Sequence, residues 1–167
     1  ECDANANSNM GISADNANTI KDCVVYNNQN SGIQVANGCM IQNCTIYGNQ
    51  GEGLTTAANS SCLISGCTVF NNTGNGIHVG TGCRVERNNC SNNGASPGDG
   101  AGIYATSSDN TIIDNSVTDN DRGIDVDAAG NFIARNYASG NTTNYDITGT
   151  QTIGPIITAT GTITNTN

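Results

Sequence analysis

A glycine followed by an apolar residue recurs along the chain at nearly regular steps. The steps between the apolar partners are 21 to 26 residues, and Tyr145-Asp146-Ile147 is a weaker seventh copy. The pairs begin at Gly11, Gly32, Gly53, Gly76, Gly102 and Gly123. A period of this size is the mark of a repeat protein, in which each unit buries its apolar side only by stacking on its neighbours.

Each unit carries three short segments in which polar and apolar residues alternate. In the second unit they are Ile33-Gln34-Val35, Met40-Ile41-Gln42 and Thr45-Ile46-Tyr47. Alternation with period two indicates strands, and no segment is long enough for a helix. The pattern predicts that Ile33, Val35, Ile41 and Ile46 point inward and that Gln34, Gln42 and Tyr47 point outward. We therefore expect an all-β parallel solenoid of six to seven rungs, with three short strands in each rung of 21 to 26 residues.

The repeat has the form (N/C)-x-I-x-x-(N/C)-x-(V/I)-x-x-N…G-I. It resembles the right-handed parallel β-helix repeats of the pectate-lyase-like superfamily, above all the short Asn-rich repeats of NosD-like and bacterial surface proteins. The resemblance covers about residues 2–147 and implies a right-handed, single-stranded parallel β-helix. It is weak evidence for function, because that superfamily includes lyases, hydrolases, epimerases, adhesins and modules without activity.

The repeats also predict the domain organisation. We expect one domain over residues 1–167, with repeat units in 2–147 and a Thr/Ile-rich tail in 148–167 that caps the stack. Pro155 favours an edge strand there, and an insertion at 95–100 favours a functional loop. The chain begins at Glu1 in the middle of a rung, which predicts a processed form or a fragment. An open strand edge at that end would allow end-to-end stacking.

Two columns of the repeat hold cysteine in some units and asparagine in others. The first column contains Cys23, Cys44, Cys67, Asn88, Asn115 and Asn136, and the second contains Cys39, Cys62, Cys83, Asn110 and Asn131. Both are predicted to be buried structural ladders, because Asn bonds neighbouring backbone and Cys fills the same space. Free thiols are the favoured state, with disulfides along the stack as the alternative. No Cys-x-x-Cys pair or Cys/His cluster indicates a metal site.

The charge of the chain limits its partners. The net charge is −9, and only five residues are Lys or Arg. No basic stripe supports binding to nucleic acid or to an anionic membrane, and no apolar run is long enough to span a bilayer. A neutral or cationic partner, or divalent cations, would suit the acidic surface. The composition also predicts an exported, extracellular or cell-surface protein.

The outward column of the first strand in each unit carries the candidate chemistry. It contains Ser13, Gln34, Thr55, His78, Tyr104 and Asp125, and it is flanked by Asp99, Arg122 and Asp127. The resemblance implies that the cleft of sugar-cleaving relatives lies along this face. A hydrolase would use Asp125 and Asp127 as two carboxylates about 6–7 Å apart, whereas a lyase would need a base and a cation such as Ca²⁺. His78 lies in Gly-Ile-His-Val rather than in the Gly-His-Gly of pectin-cleaving glycosidases, so ordinary surface residues are the favoured interpretation.

A second outward stripe contains Tyr26, Tyr47 and Phe70. It predicts stacked rings that stabilise the sheet, with contact to a glycan or to a protein as the alternatives. We therefore expect a non-catalytic, exported structural or glycan-binding module, within a larger surface or fibre protein, and no cofactor. The alternatives are a polysaccharide lyase or glycoside hydrolase, with Ca²⁺ as a cofactor, and a filament subunit that associates end to end.

Overall fold

The computed structural model describes residues 2–94 and 100–154, and this part of the chain contains only β-strands and turns. The first eleven strands are β1 (Cys2–Asn5), β2 (Ile12–Ala14), β3 (Thr19–Lys21), β4 (Cys23–Tyr26), β5 (Ile33–Val35), β6 (Met40–Gln42), β7 (Thr45–Tyr47), β8 (Leu54–Thr56), β9 (Leu63–Ser65), β10 (Thr68–Phe70) and β11 (Ile77–Val79). They are followed by β12 (Arg84–Glu86), β13 (Asn89–Ser91), β14 (Ala101–Ala105), β15 (Thr111–Ile113), β16 (Ser116–Thr118), β17 (Arg122–Val126), β18 (Phe132–Ala134), β19 (Tyr137–Ser139), β20 (Thr143–Ile147) and β21 (Thr152–Ile153).

The strands form three parallel sheets of seven strands each, because strands that are three places apart in the chain pair with each other. Sheet 1 contains β1, β4, β7, β10, β13, β16 and β19; sheet 2 runs from β2 to β20 and sheet 3 from β3 to β21, each in steps of three. Three consecutive strands make one turn of a coil, here called a rung. The predicted all-β, right-handed solenoid of about seven rungs is thus confirmed, and its parallel crossovers have the usual right-handed sense.

The core is a set of stacked columns in which like residues lie on like. Ile33, Val35, Ile41 and Ile46 are all buried, as the alternation predicted. In sheet 3, Ile41 pairs in register with Ile20 on one side and Ile64 on the other. Parallel sheets that cover a core favour β-branched residues in this way.

Left-handed residues turn the chain at every corner. Between sheet 3 and sheet 1 a single residue with φ of 52–67° makes the bend: Asp22, Asn43, Gly66, Arg87, Asp114 or Arg135. Gly, Asn and Asp tolerate this conformation best, which accounts for the turn residues between the predicted strands.

The last asparagine of each unit forms a third ladder, which the sequence had indicated only as a closing residue. Its members are Asn7, Asn28, Asn49, Asn72, Asn93, Asn120 and Asn141, joined by Nδ2-to-Oδ1 hydrogen bonds of 2.7–3.1 Å. Asn49 is typical: its Nδ2 also donates to Val25 O, and its backbone N–H donates to Asn72 Oδ1 at 3.1 Å. The ladder thereby satisfies buried polar groups that the corners would otherwise leave unpaired.

The two cysteine-containing columns continue the same hydrogen-bond pattern with sulfur. Cys39 N–H donates to Cys62 Sγ at 3.3 Å, Cys62 N–H donates to Cys83 Sγ at 3.4 Å, and Cys83 N–H donates to Asn110 Oδ1 at 2.8 Å. Sulfur therefore occupies the place of the amide oxygen. Seven cysteines, all but Cys2, are buried, and all eight are free thiols.

The recurring glycines lie against the third ladder, and this contact explains the motif that defines the repeat. A Cβ atom on Gly53 would lie 2.6 Å from Gly76 O and 2.8 Å from Asn72 Nδ2, and closer still to Val69 Cγ1. Real Cβ atoms do not approach other atoms so closely, so only glycine fits between the ladder and the next rung.

Two expectations concern segments at the limits of the described chain. Strand β21 pairs with β18 and extends sheet 3 beyond the repeats. Pro155 and the rest of the tail lie outside the described residues, as does 95–99 of the insertion.

We expect Asn72→Ala to lower the free energy of unfolding by about 3–5 kcal/mol, because it removes the acceptor of the buried Asn49 N–H and Nδ2 groups and the donor to Ile46 O. Denaturant unfolding checks this. The matched control is Asn89→Ala, which removes an exposed amide and should change stability by less than about 0.5 kcal/mol. Equal effects of the two variants would contradict the structural role of the third ladder.

Gly53→Ala and Gly38→Ala test why glycine is required at each position. A Cβ on Gly38 meets nothing within 4 Å, although φ is +66° there. We therefore expect Gly38→Ala to cost about 1 kcal/mol from backbone strain alone, and Gly53→Ala about 3 kcal/mol because the rungs must move apart. Comparison of the two unfolding midpoints measures the difference, and a larger loss in Gly38→Ala would contradict it.

Candidate functional site

The candidate column forms one continuous line on the outer face of sheet 2. Parallel register places Ser13 beside Gln34, Gln34 beside Thr55, and Thr55 beside His78. His78 then lies beside Tyr104, which lies beside Asp125, and Asp146 extends the line. The structure thus aligns these residues, but it also gives most of the titratable ones a partner.

His78 is held by Glu52, a residue that sequence reasoning missed. His78 Nδ1 lies 2.7 Å from Glu52 Oε1, which also accepts a hydrogen bond from Asn75 Nδ2 at 3.2 Å. Burial alone would raise the pKa of Glu52, but the His78 hydrogen bond and charge, with help from Asn75 and Thr55, hold that pKa below its ordinary value. Glu52 directly precedes Gly53 in a turn, so its contact with a residue 26 positions later has no local signal.

Tyr104 is paired with Asp127. The phenol donates to Asp127 Oδ2 at 2.6 Å, and this hydrogen bond, with burial, raises the pKa of Tyr104 to about 12. The ring also lies 4.9 Å from the His78 ring at a tilt of 35°. A phenol with so high a pKa is a hydrogen-bond donor at neutral pH rather than a base.

Asp125 differs from its expected role as one of two open carboxylates. It lies on the outward column but is only 3% exposed, because the Arg122 side chain is packed with it. Arg122 Nε lies 3.0 Å from Asp125 Oδ2, and Arg122 Nη1 lies 3.9 Å from Asp146 Oδ2. Asp127 is exposed but accepts a hydrogen bond from the Tyr104 hydroxyl, and Asp99 lies outside the described residues.

A shallow groove lies at the other end of the same face. It has a volume of about 250 Å³ and is lined by residues 13–15, 34–36 and 55–57. Ser13 and Gln34 are exposed at its surface, and Asp15 adds a carboxylate at its margin. Among the described residues, neither Ser13 nor Gln34 has a side-chain hydrogen-bond partner. The groove therefore presents hydroxyl and amide groups that are available to a ligand.

The aromatic stripe lies on the outer face of sheet 1. The rings of Tyr26 and Tyr47 are 5.0 Å apart at 3°, and those of Tyr47 and Phe70 are 4.9 Å apart at 8°. Both faces of Tyr47 are therefore covered by neighbouring rings. The geometry is that of a structural stack, and a sugar ring would find a face only at its two ends.

Two family models match the chain. The model described as "Right handed beta helix region" matches residues 1–106, and the model described as "Periplasmic copper-binding protein (NosD)" matches residues 81–165. The chain therefore belongs to the family of right-handed β-helix proteins that these models describe, which confirms the resemblance seen in the repeat. Comparison with curated proteins gives no match.

Solved structures of similar fold include three enzyme modules. The mannuronan C-5 epimerase AlgE4 A-module of Azotobacter vinelandii superimposes with a TM-score of 0.71 at 14% identity, over 92% of this chain and 56% of that one. The AlgE6 A-module of the same organism gives 0.65 at 15% identity, over 92% and 57%, and pectate lyase Pel9A gives 0.63 at 15% identity, over 92% and 51%. The chain thus spans little more than half the length of these proteins, and at such identities the similarity shows the fold alone. No helix able to cross a membrane occurs in residues 2–94 and 100–154.

The Glu52–His78 contact predicts a pH dependence of stability. Because the folded state holds the pKa of Glu52 below its ordinary value of about 4.5, the carboxylate stabilises the fold above that pH, and this contribution is lost as the pH falls through the folded pKa. Glu52→Gln should therefore be less stable than the wild type at neutral pH and should lose less stability between about pH 5 and pH 3. Denaturant unfolding at several pH values checks this, with His78→Asn expected to behave in the same way. Parallel profiles for wild type and Glu52→Gln would refute it.

Proposed function

We propose that the chain is a non-catalytic, exported β-helix module that binds a neutral or amino-bearing glycan in the groove of sheet 2. The observation that carries the proposal is the open polar column at Ser13 and Gln34, whose side chains are exposed and without partners among the described residues. Sugar hydroxyls both donate and accept hydrogen bonds, and amide and hydroxyl side chains can do the same.

The charge of the face supports a neutral or cationic ligand. Asp15 lines the groove, and Glu52, Asp127 and Asp146 lie further along the same side. Carboxylates in this number would repel a uronic acid polymer, whereas an amino sugar would be attracted.

The pairing of the titratable side chains supports a binding role over catalysis. Glu52 binds His78, Asp127 binds Tyr104, and Arg122 binds Asp125. Hydrolysis of a glycoside needs two carboxyl groups that face the same bond, one as acid and one as base or nucleophile. The burial of Asp125 removes the pair that the sequence had offered for that reaction.

The names of the relatives support a polysaccharide as ligand and export as location. The similar structures are named as an epimerase of mannuronan and a lyase of pectate, and one family description names the periplasm. The same description names copper, but the described residues do not fit it: they contain no group of three or more His, Cys, Asp or Glu that could hold a metal.

Binding to soluble oligosaccharides tests the proposal directly. We expect isothermal titration or a glycan array to detect neutral or amino-bearing oligosaccharides, and Gln34→Ala to weaken that binding about fivefold, as for one lost hydrogen bond. The matched control is Gln50→Ala, which removes an exposed amide elsewhere and should leave affinity unchanged. Absence of binding to every neutral and cationic glycan would refute the proposal that the groove binds a glycan. Equal affinity of the two variants would refute it as well.

A lyase is the second candidate, favoured by the Glu52–His78 contact. An ionised Glu52 accepts a hydrogen bond from Nδ1–H of His78, and the tautomer with its proton on Nδ1 leaves Nε2 as the nitrogen that would take a proton from a sugar carbon. Incubation with acidic polysaccharides, with and without Ca²⁺, would then give unsaturated products detectable by ultraviolet absorbance. Activity that is lost in His78→Gln would favour the lyase over the binding module, and its absence in the wild type would exclude it.

A further inference from the structure

The corner between sheet 3 and sheet 1 gathers most of the positive charge of the chain. Arg84, Arg87 and Arg135 lie there, and they are three of the five basic residues in a protein of net charge −9. Arg84 belongs to β12, while Arg87 and Arg135 are left-handed corner residues two rungs apart with Asp114 between them. In a three-sided coil this corner is opposite sheet 2 and its groove. We call it the arginine corner.

Each guanidinium is oriented by a carboxylate. Arg84 Nε lies 2.5 Å from Glu86 Oε2, and Arg87 Nη2 contacts the other oxygen of Glu86. Arg135 binds Asp114 through two hydrogen bonds, Nε to Oδ1 at 2.7 Å and Nη2 to Oδ2 at 2.8 Å. Three guanidinium groups against two carboxylates leave a local charge of +1.

The contribution of these ion pairs to the stability of the fold is too small to explain why three arginines are gathered here. More than half of each arginine side chain is exposed, and such exposed pairs contribute roughly 0–1 kcal/mol. A guanidinium has about five N–H donors, and the contacts above use one from Arg84, one from Arg87 and two from Arg135. Most donors thus remain for a ligand, on side chains whose orientation the carboxylates have already restricted.

Two aromatic side chains flank Arg135 along the chain. Phe132 on β18 is 38% exposed and Tyr137 on β19 is 40% exposed. Their neighbours in register are Thr111 and Thr152 for Phe132 and Ser116 for Tyr137. Unlike Tyr47, therefore, neither ring is covered by another ring from residues 2–94 or 100–154, and each offers an apolar surface to the C–H groups of a sugar.

We infer that the arginine corner is a second binding site, which takes an extended polyanionic polysaccharide. Carboxylate or sulfate groups would be bound by the guanidinium groups, and sugar rings would lie on Phe132 and Tyr137. Arg87 and Arg135 are two strand spacings apart, about 9.6 Å, a distance comparable with the disaccharide repeat of an extended 1,4-linked chain. This site does not depend on the groove of sheet 2, and it has the opposite charge preference.

Binding of polygalacturonate, dextran sulfate, neutral dextran and polyglutamate to the intact chain tests the inference. We expect both polysaccharide anions to bind at low ionic strength and more weakly at physiological ionic strength, and neutral dextran not to bind at this corner. Arg87→Gln and Arg135→Gln should each weaken binding of polygalacturonate about tenfold, as for one lost charge-assisted hydrogen bond. Both side chains are exposed, and Glu86 still forms its ion pair with Arg84 when Arg87 is replaced. We therefore expect both variants to fold.

Lys21→Gln is the matched control, because it removes one exposed positive charge from the same edge of sheet 3, three rungs away from Arg87, and should change affinity less than twofold. Phe132→Thr should weaken the binding of polygalacturonate about threefold and leave any binding of polyglutamate unchanged. Equal losses in Lys21→Gln and Arg135→Gln would overturn the site, and so would failure of the wild type to bind either anion. Polyglutamate bound as tightly as polygalacturonate would overturn the assignment to a polysaccharide. Loss of glycan binding in Gln34→Ala with intact anion binding would show that the two sites are separate.

Discussion

The structure depends on satisfying backbone hydrogen bonds along the axis of the coil. Strands pair only with the rung before and the rung after. The backbone N–H and C=O groups at every corner must therefore also form hydrogen bonds with a neighbouring rung. Three columns of asparagine or cysteine do this, and the column from Asn7 to Asn141 does it without interruption over seven members. Glycine is required beside that column because an ordinary side chain would displace it. The glycine of each Gly-apolar pair and the asparagine of the third ladder therefore pack against each other, and each requires the other.

The sequence was sufficient to predict the fold because each rung repeats the same pattern of strands, turns and buried residues. The spacing of the glycine pairs determines the register, and alternation within each strand assigned Ile33 and Gln34 to opposite sides. The third ladder was missed for a physical reason. Asn28 and its equivalents lie at turns, where asparagine is common, and the residue type alone does not distinguish an asparagine that bonds the next rung from one that stabilises a turn.

The candidate site was less predictable, because its chemistry depends on contacts between rungs made by long side chains. Column alignment placed His78, Tyr104 and Asp125 side by side, as observed in sheet 2. It gave no information on Glu52, which reaches His78 from a turn. It placed Arg122 beside the column but did not predict the ion pair of Arg122 with Asp125. A period specifies where a Cα lies, whereas the partner of a flexible charged side chain follows from packing that differs in every rung.

The single bonding direction of the coil has a mechanical consequence. Strands run across the axis while their hydrogen bonds run along it, and each rung contacts only its neighbours. A force applied along the axis would load the bonds of one rung at a time and peel the coil open in steps. A force applied across the axis would be shared by the strands of a whole sheet. A rigid element of this kind resists load from a ligand bound along its faces far better than tension between its ends.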